Sequence, residues 1–293
     1  MQTTRLLYFF LLNNLMKFKE LLFGTAGIPL STQPRDTING IKRVKELGLG
    51  SMEIEFVRTV NLNEQIAPKV KKTAEENNIV LSCHGQYFVN LNAKDKSILE
   101  ASKKRILDAC RRANQAGVFS ICYHIAYYLD LPKEKAYENI KKNLKEIIKT
   151  LKDEGNPILI RPETGGKISQ FGDVDELIKI SQEIDQVLPC IDWAHHFSRS
   201  LGKLNSYEQF KEIAIKLEKG LGRTVLDNMH CHMEGIEYGN TGERNHVNLK
   251  DCSIDYKAVA KVWKDFNIKG VITCESPNIE GDALLLKRTY DAL

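Results

Sequence analysis

The sequence predicts an α/β fold, a (β/α)8 TIM barrel, and three observations support this prediction. Short apolar runs bounded by turn residues recur along the chain and alternate with segments of helical period. Eight such units favour a closed parallel sheet, for which 293 residues are sufficient. Six of the runs lead into His, Asp or Glu, which in a barrel of this type would converge at one mouth and form a metal site there.

The predicted strands are short and rich in Val, Ile and Leu, as buried parallel strands are. An open doubly wound sheet is the competing fold, but it usually carries a glycine-rich phosphate loop after its first strand. The segment Gly24–Gly27 (GTAG) does not match that motif, so we expect a barrel. The predicted strands are Leu21–Gly24, Met52–Phe56, Ile79–Cys83, Val118–Tyr123, Pro157–Arg161, Val187–Ile191, Thr224–His230 and Gly270–Cys274.

The predicted helices carry their apolar residues on one stripe, and several of them stop at a glycine. This stripe is the face that a helix would pack against the outside of the barrel. The predicted helices are Asp95–Ala116, Lys133–Lys152, Leu177–Ile184, Tyr207–Leu217 and Asp255–Phe266.

Residues 16–293 are expected to form a single domain, because no low-complexity tract or Pro/Gly-rich linker interrupts them. Residues 1–15 are expected to be an extension outside the fold, with Met16 as an alternative start. The apolar run Leu6–Leu12 is too short to span a bilayer, and it lacks the cleavage pattern of a signal peptide.

The composition, with 42% hydrophobic and 27% charged residues, is ordinary for a soluble protein without a membrane partner. The 7 cysteines are odd in number, scattered and without a CxxC pair. They predict reduced, buried thiols in a cytoplasmic protein and no disulfide framework. The net charge of +4 is compatible with nucleic acid binding but does not require it.

The candidate metal ligands lie at strand ends or in the loops that follow. Asp192 and His195 have a D-x-x-H spacing that lets both side chains reach one cavity, although alone it could be a helix cap and a surface histidine. A carboxylate that ends a buried strand, as Glu163 and Glu275 do, is costly unless it is paired or metal-bound. The nine candidates are His84, His124, Glu163, Asp192, His195, His232, Glu243, His246 and Glu275.

The seventh strand and the segment after it offer further ligands. His230 and His232 alternate and therefore point to the same side, and His232 is preferred because it is nearer the carboxyl end. A glycine-flexed loop is expected to carry Glu243 and His246 over the mouth. One catalytic zinc takes about three protein ligands, so nine candidates predict two or three Zn²⁺, with Mn²⁺ or Fe as alternatives.

These motifs resemble those of the endonuclease IV family (AP endonuclease family 2), DNA repair enzymes built on a trinuclear-zinc, xylose isomerase-like TIM barrel. The resemblance covers nearly the whole chain from Phe23 on. Its motifs are H-x-x-Y-x-x-N-L from His84, a single His after the fourth strand at His124, Glu-Thr-Gly-Gly from Glu163, D-x-x-H from Asp192, and Glu-Ser-Pro-Asn from Glu275.

The chain departs from the family pattern at two places. The family holds its third zinc with a D-x-H pair and the D-x-x-H histidine, whereas here Glu243 is followed by Arg and Asn, and His246 comes one position late. The family's His-Pro-Gly after the fourth strand is His124-Ile-Ala, so that loop is expected to have a different shape.

The resemblance implies hydrolysis of the phosphodiester 5′ to abasic sites in double-stranded DNA by a monomeric enzyme. Glu163 and Glu275 would be catalytic, sharing metals and orienting a hydroxide nucleophile, while Tyr87 and Phe88 would contact DNA where the base is missing. Two alternatives are a sugar isomerase or epimerase of the xylose isomerase-like barrels, and a DNA- or metal-binding barrel that has lost activity.

Overall fold

A computed structural model gives the structure of residues 16–293, and the predicted extension at residues 1–15 lies outside the described residues. Ten strands occur in the described part of the chain. They are β1 (Leu21–Ala26), β2 (Ser51–Glu55), β3 (Val80–His84), β4 (Ser120–Tyr123), β5 (Leu159–Pro162), β6 (Ile191–Asp192), β7 (Met229–Met233), β8 (Gly235–Gly239), β9 (Gly242–Val247) and β10 (Gly270–Cys274).

Eight of the strands form one parallel sheet in the order β5-β4-β3-β2-β1-β10-β7-β6. Its two ends meet, because parallel bridges join Ile160 to Val187 and Glu163 to Cys190. The predicted TIM barrel is therefore confirmed. Strands β8 and β9 form a separate antiparallel hairpin after β7.

Helices follow most of the strands and cover the outside of the sheet. Within residues 16–293, none of them has both the length and the apolar character needed to cross a bilayer. The helices are α1 (Thr37–Glu46), α2 (Ala67–Asn77), α3 (Lys96–Gln115), α4 (Lys133–Asp153), α5 (Val174–Glu183), α6 (Trp193–Arg199), α7 (Tyr207–Leu221), α8 (Arg223–Leu226), α9 (Tyr256–Asp265) and α10 (Glu280–Asp291), with a 3₁₀ turn at Leu249–Asp251.

The start of the predicted seventh strand, Thr224–His230, is wrong. Residues Arg223–Leu226 form helix α8, and β7 begins only at Met229. The residue before the helix, Gly222, has a positive φ of 75°. Short apolar runs of this kind fit a buried helical turn as well as a strand, so their pattern does not decide between the two.

The main hydrophobic core lies between the sheet and the helices. Trp193 and Trp263 are fully buried there, with ring centroids 6.3 Å apart, and Ile140 on α4 is fully buried as well. Apolar stripes of the helices supply one side of this layer and alternating strand residues supply the other.

The barrel interior is polar instead. Glu53 on β2 and Ser120 on β4 both contact His230 on β7, and because these three strands are not neighbours, the contacts cross the inside of the barrel. Below them the buried guanidinium of Arg161 donates to the backbone carbonyl of Asn228 (2.8 Å). We call the set Arg161, Cys190, Cys122, His230 and Glu53 the interior polar column.

A candidate metal centre at the barrel mouth

The structure brings all nine predicted ligands together at the carboxyl ends of the strands. They fall into three groups, and within each group the ligand atoms lie within 4.8 Å of one another. Glu163 belongs to the first two groups. We call them site 1 (His84, His124, Glu163), site 2 (Glu163, Asp192, His232, Glu275) and site 3 (His195, Glu243, His246).

Site 1 is centred on Glu163, which follows β5. Its Oε2 atom lies 3.3 Å from Nε2 of His84 and 3.4 Å from Nε2 of His124, yet it makes no hydrogen bond within residues 16–293. His84 Nδ1 lies 2.8 Å from the carbonyl oxygen of Gly85. A carbonyl only accepts, so Nδ1 donates, and the lone pair of Nε2 faces the site.

The residue after His84 must be glycine for this geometry. A Cβ atom on Gly85 would lie 1.8 Å from the ring of Tyr123, which packs directly against the turn. The turn therefore stays close to β4 and keeps the two histidines of site 1 near each other.

Site 2 is organised around His232, the last histidine of β7. Its Nδ1 atom lies 2.9 Å from Oε1 of Glu163 and 3.6 Å from Oε2 of Glu275, while its Nε2 lies 3.0 Å from Oε1 of Glu53. Glu53 also holds His230, whose Nε2 is 2.5 Å from Oε2. His232 therefore faces the mouth, and His230 lies one step deeper in the interior polar column.

Asp192 is a helix cap, but His195 is buried and not a surface histidine, so both side chains reach one cavity as the sequence predicted. Asp192 Oδ1 accepts from the backbone N–H of His195 (2.8 Å) and caps α6, while Oδ2 lies 3.1 Å from His195 Nδ1. His195 Nδ1 also lies 2.9 Å from the carbonyl oxygen of Thr164, to which it donates. His195 Nε2 is consequently free to face site 3, 3.7 Å from Oε2 of Glu243.

The segment that carries Glu243 and His246 is a β-hairpin, and the expectation of a flexed loop is wrong. Asn245 pairs with Glu237 and Glu243 pairs with Tyr238, so Arg244 is an extra residue in a β-bulge. Two residues three positions apart on a bulged strand can face the same side. The late position of His246 in the sequence is thereby compensated, and its Nε2 lies 3.8 Å from Oε1 of Glu243.

The hairpin is fixed to the mouth by the glycine pair after Thr164. The backbone N–H of Glu243 donates to the carbonyl oxygen of Gly166 (3.0 Å). A Cβ atom on Gly166 would lie 2.7 Å from Oε2 of Glu243 and 2.8 Å from Cδ2 of His195. Glycine at this position therefore permits the close approach of the hairpin to the barrel.

Opposing charges at the mouth shift the pKa values of its groups. Burial disfavours the charged form of Glu163, but the positive charges of His124 and His232 outweigh it and hold the pKa well below its usual value. Burial would lower the pKa of His195, yet the charges of Asp192 and other carboxylates raise it to about 9. Burial raises the pKa of Glu275 to about 8 despite the charge of His232.

The donor set fits divalent cations. Glu163 Oε2, Asp192 Oδ2 and His195 Nε2 are buried and make no hydrogen bond within the described residues. Buried carboxylates without such bonds are costly unless a cation balances them. Mixed imidazole and carboxylate donors suit a divalent transition metal, so the residues present fit a metal ion of this class.

Three carboxylates at the mouth were not among the sequence-predicted site residues. Glu53 and Glu55 lie on β2, and Glu234 follows β7. A period of two would have revealed them, because it places Glu55 on the same face as Glu53, and Glu234 on the same face as His232. Burial and the charge of Glu53 raise the pKa of Glu55 to about 7.

Two exposed aromatic residues flank the mouth on the loop after β3. Tyr87 is 56% exposed and Phe88 is 64% exposed. The ring of Tyr87 lies 5.7 Å from that of His84, which ties the loop to site 1, and Arg105 donates to the carbonyl oxygen of Phe88 (3.0 Å). These rings are free to stack on a bound molecule.

Comparison with known sequences identifies matches over most of the chain. Residues 41–291 match the family model described as xylose isomerase-like TIM barrel. An uncharacterized protein of Methanocaldococcus jannaschii is 40% identical, over 93% of this chain and 98% of its own length. An apurinic-apyrimidinic endonuclease 1 of Plasmodium falciparum is 22% identical over 76% of this chain, which spans only 38% of that relative.

Two solved structures with the same fold differ in what their names indicate. A D-tagatose 3-epimerase-like protein superposes with a TM-score of 0.70 at 18% identity, covering 92% of this chain and 96% of its own. An endonuclease IV from Thermus thermophilus superposes with a TM-score of 0.67 at 18% identity, covering 92% and 98%. At these identities the likeness concerns the fold.

Proposed function

This chain belongs to the xylose isomerase-like TIM barrel family, and on that premise we propose that it is a metal-dependent endonuclease of the endonuclease IV kind. Its substrate would be double-stranded DNA, hydrolysed at the phosphodiester 5′ to an abasic site. The observation that carries this proposal is site 1, where His84 and His124 converge on a carboxylate that site 2 also contains. A one-metal enzyme would need site 2 alone.

The proposed cofactor is zinc, at two or three ions per chain, with Mn²⁺ or Fe as alternatives. Bound zinc supplies Lewis acidity and lowers the pKa of bound water toward about 7. Glu163 would hold sites 1 and 2 at a fixed separation through its two oxygens, since it is fully buried. Glu275, whose side chain is 12% exposed, is the better placed of the two to orient the attacking water.

The proposed DNA contacts are Tyr87 and Phe88. Exposed aromatic rings beside a site stack on bases or fill the gap that a missing base leaves. An abasic nucleotide has little stacking to lose, so it leaves the duplex cheaply and can reach a recessed mouth. The name of the Plasmodium falciparum relative also supports an abasic-site substrate. We propose that a monomer carries out this reaction.

The test combines metal analysis with cleavage of a duplex that contains one abasic site. We expect two or three zinc equivalents and incision that EDTA abolishes, with a matched intact duplex left uncut. Glu163→Gln should remove incision and lower the metal content together, since the residue belongs to two sites. Full metal content in wild type without incision would contradict the proposal.

The Tyr87→Ala variant tests the DNA contact separately. We expect weaker binding to the abasic duplex, by about 1–3 kcal/mol if a stacking contact is lost, and unchanged metal content. Tyr87→Phe is the matched control because it keeps the ring. If Tyr87→Ala binds abasic DNA as tightly as wild type, the residue has no such role.

A sugar epimerase is the second candidate, and site 2 is the observation that favours it. Its two Glu, one Asp and one His surround a single position, which suits a one-metal centre. About one metal per chain, no incision and interconversion of ketose epimers would support this candidate. Tight binding of abasic DNA at full metal loading without cleavage would instead indicate a barrel that has lost activity.

A further inference from the structure

Glu234 is a buried carboxylate that the proposed centre does not yet use. It follows β7 directly, and its side chain has no exposed surface. Within residues 16–293, neither of its oxygens has a hydrogen-bond partner. An ionised carboxylate in this situation is strongly destabilising unless a cation lies next to it.

The surroundings of Glu234 are those of a cation site. Its carboxylate, Asp192 and His195 form a group whose ligand atoms lie within 4.8 Å of one another. Its Oε1 atom lies 4.0 Å from Nε2 of His246. His195 and His246 are also members of site 3, so Glu234 borders that site from the barrel side.

Among the described residues, no lysine or arginine pairs with Glu234. Within residues 16–293, His246 Nε2 is the one basic atom within 4.0 Å of the Glu234 carboxylate, at the limit of that distance. Asp192 and Glu275, whose negative charges act on Glu234, would repel its ionised form. A divalent ion would remove that repulsion and the cost of burial together.

We propose that Glu234 is a ligand of the metal at site 3, together with His195, Glu243 and His246. This inference rests on the metal centre of the proposed function but adds a ligand that the family motifs do not contain. Two carboxylates and two neutral imidazoles would balance the charge of one divalent ion. They would also occupy four positions, the usual number around zinc.

The origin of the ligands gives this arrangement a structural consequence. Glu243 and His246 come from the hairpin, whereas His195 lies in the first turn of α6 and Glu234 directly follows the barrel strand β7. A metal held by both sets fastens the hairpin to the barrel. Glu234 would therefore connect the metal of site 3 directly to the barrel strand β7.

The rival role for Glu234 is a protonated, purely structural carboxyl group. The two roles differ in what Glu234→Gln does to the protein with and without metal. If Glu234 is a ligand, its carboxylate stabilises the protein when metal is bound. In the metal-free protein the same unpaired carboxylate is destabilising. A structural hydrogen-bonding group would affect both forms equally.

The experiment compares wild type, Glu234→Gln and the control Glu237→Gln, which alters an exposed carboxylate of the same segment. Metal content is measured after equilibration against buffered free zinc, and melting temperature is measured with zinc and with EDTA. We expect Glu234→Gln to lower the affinity of the weakest zinc site by roughly 10- to 100-fold or more. This range is the one seen when a group that only supports a ligand is lost. With EDTA, its melting temperature should equal or exceed that of wild type.

Two results would overturn the assignment. One is an unchanged zinc affinity at the weakest site, and the other is an equal change of melting temperature with zinc and with EDTA. The readouts do not involve DNA, so they separate the two proposals. If Glu234→Gln loses zinc while wild type fails to cut abasic DNA, the ligand role stands and the proposed function falls.

Discussion

Three histidines at the mouth are each oriented through one ring nitrogen, so that the other ring nitrogen faces a carboxylate of the candidate site. His84 and His195 each donate Nδ1–H to a backbone carbonyl oxygen, and His232 Nε2 faces Glu53. Each remaining nitrogen faces Glu163 or Glu243. Metal ligands held in this way are aligned before the ion arrives, which increases affinity.

The raised pKa values predict how the stability of the metal-free protein depends on pH. His195 has a pKa of about 9 against an ordinary 6.5, so its contribution is complete below pH 6.5 and is lost as the pH rises through 9. Glu275, raised from 4.5 to about 8, also binds its proton more tightly in the folded state and acts in the same direction. We therefore expect the melting temperature of EDTA-treated protein to fall between pH 6.5 and 9.

Scanning calorimetry across this range measures the effect. The melting temperature of metal-loaded protein should fall less over this range. The bound ions take the place of the protons, and they bind more tightly as the histidines deprotonate. The His195→Gln variant should show a shallower slope in EDTA. A melting temperature that stays level in EDTA over the whole range would contradict the assignment of these groups.

At the scale of elements, the β8–β9 hairpin decides whether a third ligand group exists. The bulge at Arg244 turns a three-residue spacing into a same-face pair. The hairpin is also bound to the loop after β5, since Lys167 bridges Gly242 and Ile168 N–H donates to the Thr241 carbonyl oxygen (3.1 Å). Local backbone geometry therefore controls a feature of the candidate metal centre.

Changing the length of the bulge tests this control. Deleting Arg244 leaves Glu243 and His246 two positions apart on a regular strand, so both still face the mouth, and metal content should be unchanged. Inserting one glycine between Arg244 and Asn245 should turn His246 to the opposite face of the strand. The metal content should then fall by roughly one equivalent per chain. Metal analysis of both variants checks this, and equal loss in the two would show that the register is irrelevant.

The sequence was sufficient for the barrel, because parallel strands are nearly continuous apolar runs and Gly270–Cys274 was located to the residue. It was also sufficient to predict that the candidate ligands at the barrel strand ends lie together, since strand ends converge in this fold, whereas Glu243 and His246 reach the mouth on the hairpin. It failed for α8, where a short apolar segment has no distinguishing period. The bulge was missed because its register depends on contacts with β8 and Gly166, which no local pattern contains.

At the scale of the whole molecule, the residues that stabilise the fold are separate from those inside the barrel. Large apolar side chains such as Trp193 and Ile140 pack between strands and helices, where they are fully buried. The inside holds the interior polar column and the mouth carboxylates. Burial of apolar surface is the main source of stability, so this outer layer supplies most of it.

Two alanine substitutions test this separation. Ile140→Ala removes a fully buried side chain from the outer layer and should cost about 2–5 kcal/mol in urea unfolding. Ser82→Ala alters a buried residue on β3, two positions before His84. The Ser82 hydroxyl has no hydrogen-bond partner within residues 16–293. This substitution should be close to neutral.

Both variants should keep the metal content of wild type, because neither belongs to the described ligand groups. The comparison is made on EDTA-treated protein, so that bound metal does not mask the difference. If Ser82→Ala destabilised the protein as much as Ile140→Ala, the interior would be as important for stability as the outer layer.

The polar interior also bears on how such a barrel changes over evolutionary time. Substitutions at inward positions such as Glu53, Cys122 or His230 alter charge and ligand chemistry while leaving the apolar outer layer intact. The chemistry of the barrel interior can therefore change without disturbing the layer that supplies most of the stability. The same fold is found in a D-tagatose 3-epimerase-like protein and in an endonuclease IV, so the scaffold itself does not determine one reaction.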